Sequence, residues 1–480
     1  MSNVKKSRKL LQYKIDSPYS VCYSHFRMRN IERLTQIVLA GAVVAILTTG
    51  FDKGIVRAVE ATPRATTSDT VPTPTSLKEA EGTTTRVSVA SDGTEGNQDS
   101  WWASISADGR YVAFGAMANN LVSGDTNGQN DVFVHDRQTK ETTRVSVASN
   151  GTEGNGNSQI SRIPPSISAD GRFVTFISEA SNLVSGDTNG QNDVFVHDRQ
   201  TKETTRVSVA SDGAEGNLNS WSPSISADGR YVAFESSAEN LTDDDHNGWN
   251  DIFVHDQQTG KTTRVSTASD GTEGNSYSSD CSISADGRFV AFLSRASNLV
   301  NGDTNDRVDV FIHDRQTGQT TRVSEYSSYP SLSADGRYVA FESSEDVFVH
   351  DRQTGQTTKV SVASDGTEGD NASSSPSISA DGRFVAFWSK ASNLVSNGTN
   401  DRVDVFVHDR QTGQTTRVST ASDGTEGNEC SWYPSMSGDG RYVAFESRAT
   451  NLVTGDTNSW QDIFVHDRRL NTIYFPLIFR

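Results

Sequence analysis

The sharpest chemical signal in the sequence is a short acidic pattern found five times. Asp125, Asn127 and Asp131 recur as Asp187, Asn189 and Asp193, and again as Asp245, Asn247 and Asp251. They return as Asp303, Asn305 and Asp309, and as Asp456, Asn458 and Asp462. Alternate oxygen-bearing side chains around a Gly-rich turn, closed by a carboxylate, suit a hard cation such as Ca²⁺. The twelve-residue spacing and terminal Glu of an EF-hand are missing. The same residues have a plainer reading, because Asp and Asn beside Gly form turns by bonding their own backbone. Ca²⁺ is thus the one cofactor the sequence suggests, and none is required.

A second pattern is His-Asp, found at His135, His197, His255, His313, His350, His408 and His466. One per repeat, these imidazoles are spread too widely to converge on one metal. They are expected to pack between repeats, with the Asp fixing the next turn. Arg86, Arg144, Arg206, Arg264, Arg322 and Arg417, with Lys359 in the remaining copy, are expected to form salt bridges at the rim. No G-x-S-x-G elbow is present. The three cysteines, Cys22, Cys281 and Cys430, lack the CxxC spacing of a thiolate metal site.

The elements that must hold these residues are repeats. The stretch Ser166–Ser208 shows one unit in full, and its Ser-Ala-Asp-Gly-Arg signpost returns every 46 to 62 residues. Each unit reads as four short strands: A before the signpost, B (Arg-Tyr-Val-Ala-Phe), C (Asp-Val-Phe-Val-His-Asp) and D (Thr-Thr-Arg-Val-Ser). β-Branched and aromatic residues bounded by Gly, Asn, Asp and Ser are the strand signature. Apolar groups on both faces of B require cover on both faces, and radial stacking supplies it. The chain enters through a D strand at Thr84 and then passes through seven A–B–C sets. The expected fold is therefore all-β, a seven-bladed propeller of four-stranded blades. Its N-terminal strand pairs with the last blade to close the ring.

Ser-Ala-Asp-Gly-Arg-Tyr-Val-Ala-Phe followed by Val-Phe-Val-His-Asp resembles the TolB-type propeller repeat, a relative of the Trp-Asp repeats. The resemblance covers about residues 84–470. It implies work in envelope protein complexes, but it matches structural positions alone and carries over no partner. The acidic loops also look like the calcium loops of integrin-type propellers, though shorter.

Residues 1–58 form a basic leader with an apolar run, Ile37–Leu47, extendable to Phe51. This reads as an export signal, or as a short membrane anchor if uncleaved. Met28 offers an alternative start. Residues 59–83 are a Thr/Pro-rich spacer, and 471–480 a divergent tail. The net charge of −18 argues against nucleic acid as a partner.

Antiparallel order puts A–B and C–D turns on one face, and the long B–C loops and D–A connectors on the other. Blade five lacks its B–C loop, and Glu325–Tyr329 replaces the usual connector before it, which notches the loop-rich face. Trp101, Trp102, Trp221, Trp432, Trp249 and Trp460 all map to that face. The expected function is an exported, non-enzymatic monomer, possessing an acidic loop-rich face that binds a protein or glycan at the cell envelope. The alternative is a secreted carbohydrate-active enzyme, a lyase or glycosidase. It would need off-pattern groups such as Asp243, Asp244, His246, Asp280, Glu325, Tyr326 and Glu429 gathered in a pocket.

Overall fold

The computed structural model describes residues 82–159, 163–396 and 400–469, and among these every regular element is a strand. In blade one, strand A spans Ser100–Ile105, B Tyr111–Ala116, C Asp131–Asp136 and D Thr142–Arg144. The antiparallel order A-B-C-D holds in six sheets. The seventh is completed from the other end of the chain. Thr83–Arg86 pairs with Asp462–Asp467 and becomes strand D of blade seven. The leader, nearly all of the spacer and the tail lie outside the described residues.

Strands B and C carry the core. Their register sets Phe114 opposite Phe133 and Val112 opposite His135. The two rings stack at 6.0 Å, and the other blades repeat the pair at 5.9–6.1 Å. Neither ring can be covered by its own sheet, so each blade packs on the next. Val132 and Val134 of blade one share a cluster with Phe176 and Phe195 of blade two. Burying one such Phe contributes roughly 1.5–3 kcal/mol.

The blades are also sewn together by polar contacts at the tight-turn end. Ala107 N–H donates to Ala169 O, Ala169 to Ala227, and so on through Ala285, Ala334, Ala380 and Gly438 back to Ala107, at 2.9–3.1 Å. This closed circle of backbone hydrogen bonds surrounds the propeller axis and requires every blade. Further out, the turn arginines reach across each junction. Arg199 of blade two lies 4.3 Å over the Tyr111 ring of blade one.

Candidate functional site in the central channel

The inner strands line the axis, and there the chain departs from regular geometry. Strand A of blade one shifts register between Trp101 and Ser104, and the other bulged blades do the same. At each bulge a non-glycine residue takes a positive φ: Trp102 50°, Ser222 50°, Asp280 43°, Tyr329 52°, Ser375 52° and Tyr433 46°. Such backbone costs on the order of 1–3 kcal/mol per residue and persists only where the surroundings over-determine it. These six side chains line an axial cavity of about 330 Å³. The blades are near-copies elsewhere, but at this level they carry Trp, Ser, Asp, Tyr, Ser and Tyr. Repeat symmetry is broken in the channel.

Strand B supplies the second layer. The residue after its buried Phe is Glu235, Glu342 and Glu446 in blades three, five and seven, against Gly115, Ile177, Leu293 and Trp388 elsewhere. Glu446 accepts the backbone N–H of Trp102 at 3.0 Å, so it fixes the bulge of the neighbouring blade. Burial raises its pKa to about 7 and pushes the nearby Tyr433 phenol up as well. Glu342 accepts the Ser374 hydroxyl and is raised by burial.

Glu235 has the richest surroundings. Its carboxylate accepts from Asn250 Nδ2 at 2.7 Å. The Ser222 hydroxyl lies 3.4 Å from Glu235 Oε2 and 3.5 Å from Asp280 Oδ1, bridging the two acids. Burial, then the Asp280 charge, raises Glu235 to about 7, and burial raises Asp280 too. Cys281, a free thiol, donates to the Ser222 carbonyl at 3.2 Å and is pushed up by burial. The Asp280 charge thus adds to burial in disfavouring the ionised form of Glu235. A carboxyl held at about 7 both gives and takes a proton near neutrality.

The sequence-predicted loop residues come together, but around an internal cation. Arg144 Nη1 lies 3.3 Å from Asp125, 3.1 Å from Asp131 and 3.0 Å from Glu153. Arg206 does the same with Asp187, Asp193 and Glu215, Arg264 with Asp245, Asp251 and Glu273, and Arg86 with Asp456, Asp462 and Glu95. Arg322 holds Asp303 and Asp309. The Asn oxygen is engaged by the turn: Asn127 Oδ1 accepts the Gln129 N–H at 2.9 Å, while its Nδ2 donates to Asp131 at 3.1 Å. Asn189, Asn247 and Asn458 repeat this, and Asn305 bonds Arg307 N–H and Asp309. Among the described residues no His, Cys, Asp and Glu group is arranged to hold a metal ion.

The His-Asp pairs are structural. The Thr204 hydroxyl donates to Val147 O at 2.5 Å, so the 2.9 Å contact with His197 Nδ1 makes that nitrogen the donor. Burial lowers His135, His197, His313 and His466 to about 4, which keeps them neutral. Asp136 bonds its turn at Gln138 N–H and pairs with Arg110 through two contacts of 2.9 and 2.6 Å.

Of the off-pattern residues, only Asp280 enters the channel. Asp243, Asp244 and His246 are exposed on blade three, where Asp244 pairs with Arg264 at 3.2 Å. Trp249 and Trp460 are exposed in their loops, while Trp432 is buried and Trp102 lines the channel. Glu235, Glu342 and Glu446 escaped sequence reading because Glu sits inside an ordinary repeat motif. The available signal was its alternation with Gly, Ile, Leu and Trp at one repeat position.

No family model and no curated protein matches the chain. Solved structures do. TolB from Acinetobacter baumannii aligns at 16% identity with a TM-score of 0.38, over 67% of this chain and 63% of that one. The chain therefore spans less than two thirds of that relative. An oligogalacturonate lyase in complex with manganese aligns at 15% identity and 0.49, over 80% and 93%. A prolyl endopeptidase structure aligns at 13% and 0.48, over 78% and 50%. The expectation of a non-enzymatic scaffold working through its acidic loop-rich face is corrected here. Solved propellers similar to this chain include an oligogalacturonate lyase and a prolyl endopeptidase. The loop carboxylates are, moreover, held by arginine. In fold the chain is a seven-bladed β-propeller, and TolB structures are among the solved propellers it resembles.

Proposed function

We propose that the protein acts on a small amine-bearing molecule in its central channel, with Glu235 and Asp280 exchanging a proton with it. The observation that carries this reading is the cavity-lining Asp280, joined through the Ser222 hydroxyl to the buried Glu235 behind it. An ammonium group satisfies a carboxylate pair, and the aromatic faces of Trp102, Tyr329 and Tyr433 at the same level suit a cation. Among the described residues lining the cavity none is basic. Export, through the basic leader and the apolar run from Ile37, belongs to the same proposal.

The test is a panel of small amines and their neutral isosteres, measured by calorimetry at pH 7 in two buffers of different ionisation enthalpy. Amines should bind, and the apparent enthalpy should depend on buffer because protons are exchanged. Glu235→Gln should remove the buffer dependence, and Asp280→Asn should weaken amines at least tenfold while sparing the isosteres. Equal binding of isosteres, or unchanged proton exchange in Glu235→Gln, would sink the proposal.

A further inference from the structure

Six of the seven outer strands are capped by the connector arriving from the preceding blade. In blade one, Ser91 Oγ accepts the Thr142 N–H at 3.0 Å and lies 3.5 Å from the Thr142 carbonyl, to which it donates. The Thr142 hydroxyl donates back to Val89 O. A single Val-x-Ser segment thus satisfies a sheet edge much as a neighbouring strand would. Ser149, Ser211, Ser269, Ser364 and Ser422 repeat the cap on Thr204, Thr262, Thr320, Thr415 and Thr84.

Blade five has no such cap. Its strand D, Gln356–Lys359, is exposed at Thr357, whereas the six counterpart threonines are 3–5% exposed. Among the described residues, no connector reaches the Thr357 N–H or carbonyl. The missing B–C loop also leaves Phe348 half-buried, although the matching Phe133, Phe195 and Phe253 are fully buried. Across the junction, the side chain of Arg322 is 22% exposed, against 3–10% for its counterparts Arg86, Arg144, Arg206, Arg264 and Arg417. An open edge, an uncovered Phe and a less covered Arg occupy one junction.

We propose that strand D of blade five is the docking edge for an extended segment of a partner protein. An uncapped edge is a template for a further strand. The six internal caps state what the segment carries: a Val or Thr, a Ser two positions on to bond Thr357 N–H and carbonyl, and a Glu four positions after the Ser. That acid would take the place of the exposed Glu325, which pairs with Arg322 at 2.9 Å. The site is independent of Glu235 and of the channel.

The test uses the full chain and a fluorescent peptide copying Val360–Asp370, read by anisotropy. Saturable binding is expected. A peptide with Ala at the Ser364 position should bind at least fivefold more weakly. A chain with a copy of Thr267–Asn275 inserted between Ser324 and Glu325 restores the missing connector, and it should lose peptide binding while keeping its melting temperature. No saturable binding up to millimolar peptide, or binding unchanged by the restored connector, overturns the proposal. Dimerisation in sedimentation, abolished by the restored connector, would overturn it in favour of a second copy of this chain.

Discussion

The Glu446 carboxylate accepts the Trp102 backbone N–H at 3.0 Å, across 344 residues of sequence, and so joins blade seven to blade one. Burial holds this carboxyl at about 7, well above the usual value of about 4.3 for Glu in an unfolded chain. The folded state therefore binds the proton more tightly, and stability falls as pH rises from about 4.5 to about 7. A neutral amide still accepts the N–H and avoids that loss. Glu446→Gln should melt higher than the parent at pH 8, by up to about 3 kcal/mol, and close to it at pH 4.5. Thermal melts at the two pH values check this.

The buried histidines act in the opposite sense. Their folded pKa values, about 4 for His135, His197, His313 and His466, lie below the unfolded value of about 6.5. Their stability is present above about pH 6.5 and is lost as pH falls through 4. The Thr partner matters only where a connector is present. Thr204→Val should cost about 1–3 kcal/mol, since His197 and the Val147 carbonyl lose their partner. Thr357→Val, which bonds His350 alone among these groups, should cost less. Denaturant midpoints of both variants give the comparison.

Removing a rim arginine should expose the cost of the acids it holds. Arg206→Ala leaves Asp187, Asp193 and Glu215 facing one another, and breaking a buried pair costs about 3–5 kcal/mol. Millimolar Ca²⁺ should restore part of this in the variant. In the parent, Ca²⁺ and EDTA should give the same melting temperature, because the guanidinium already occupies the position between the carboxylates.

Turn glycines should divide sharply by neighbour. Gly229 has φ +78°, and a Cβ there would lie 2.1 Å from the Phe173 ring of the adjacent blade. Gly213 has φ +87° with open space around it. Gly213→Ala should cost about 1 kcal/mol, and Gly229→Ala several-fold more, since it strains the backbone and also parts two blades. Chemical denaturation of the two variants separates these effects.

Much of this architecture was legible because repetition makes local signals redundant. Seven copies of one strand pattern fix the blade, and the stray D strand at Thr84 fixes the closure. The arginine-filled loops were half legible. Asp125, Asn127 and Asp131 announced a cation, but the cation is Arg144 from a strand that reads as an unrelated motif. The channel was barely legible. Only Asp280 stood out by breaking the pattern, while its partner Glu235 looked like any other strand residue.

The sequence by itself determined the strands, their order and the number of blades, because alternation and turn chemistry act over a few neighbouring residues. Tertiary structure alone decided which carboxylates lose water and which face one another. Glu235 and Asp280 belong to different blades, and closing the ring places them about one hydroxyl, Ser222. The ring also shows the consequence of the short connector before blade five, which leaves one outer strand, at Thr357, without the serine that caps the other six. Burial and contact across blades are properties of the assembled ring, and no single repeat contains them.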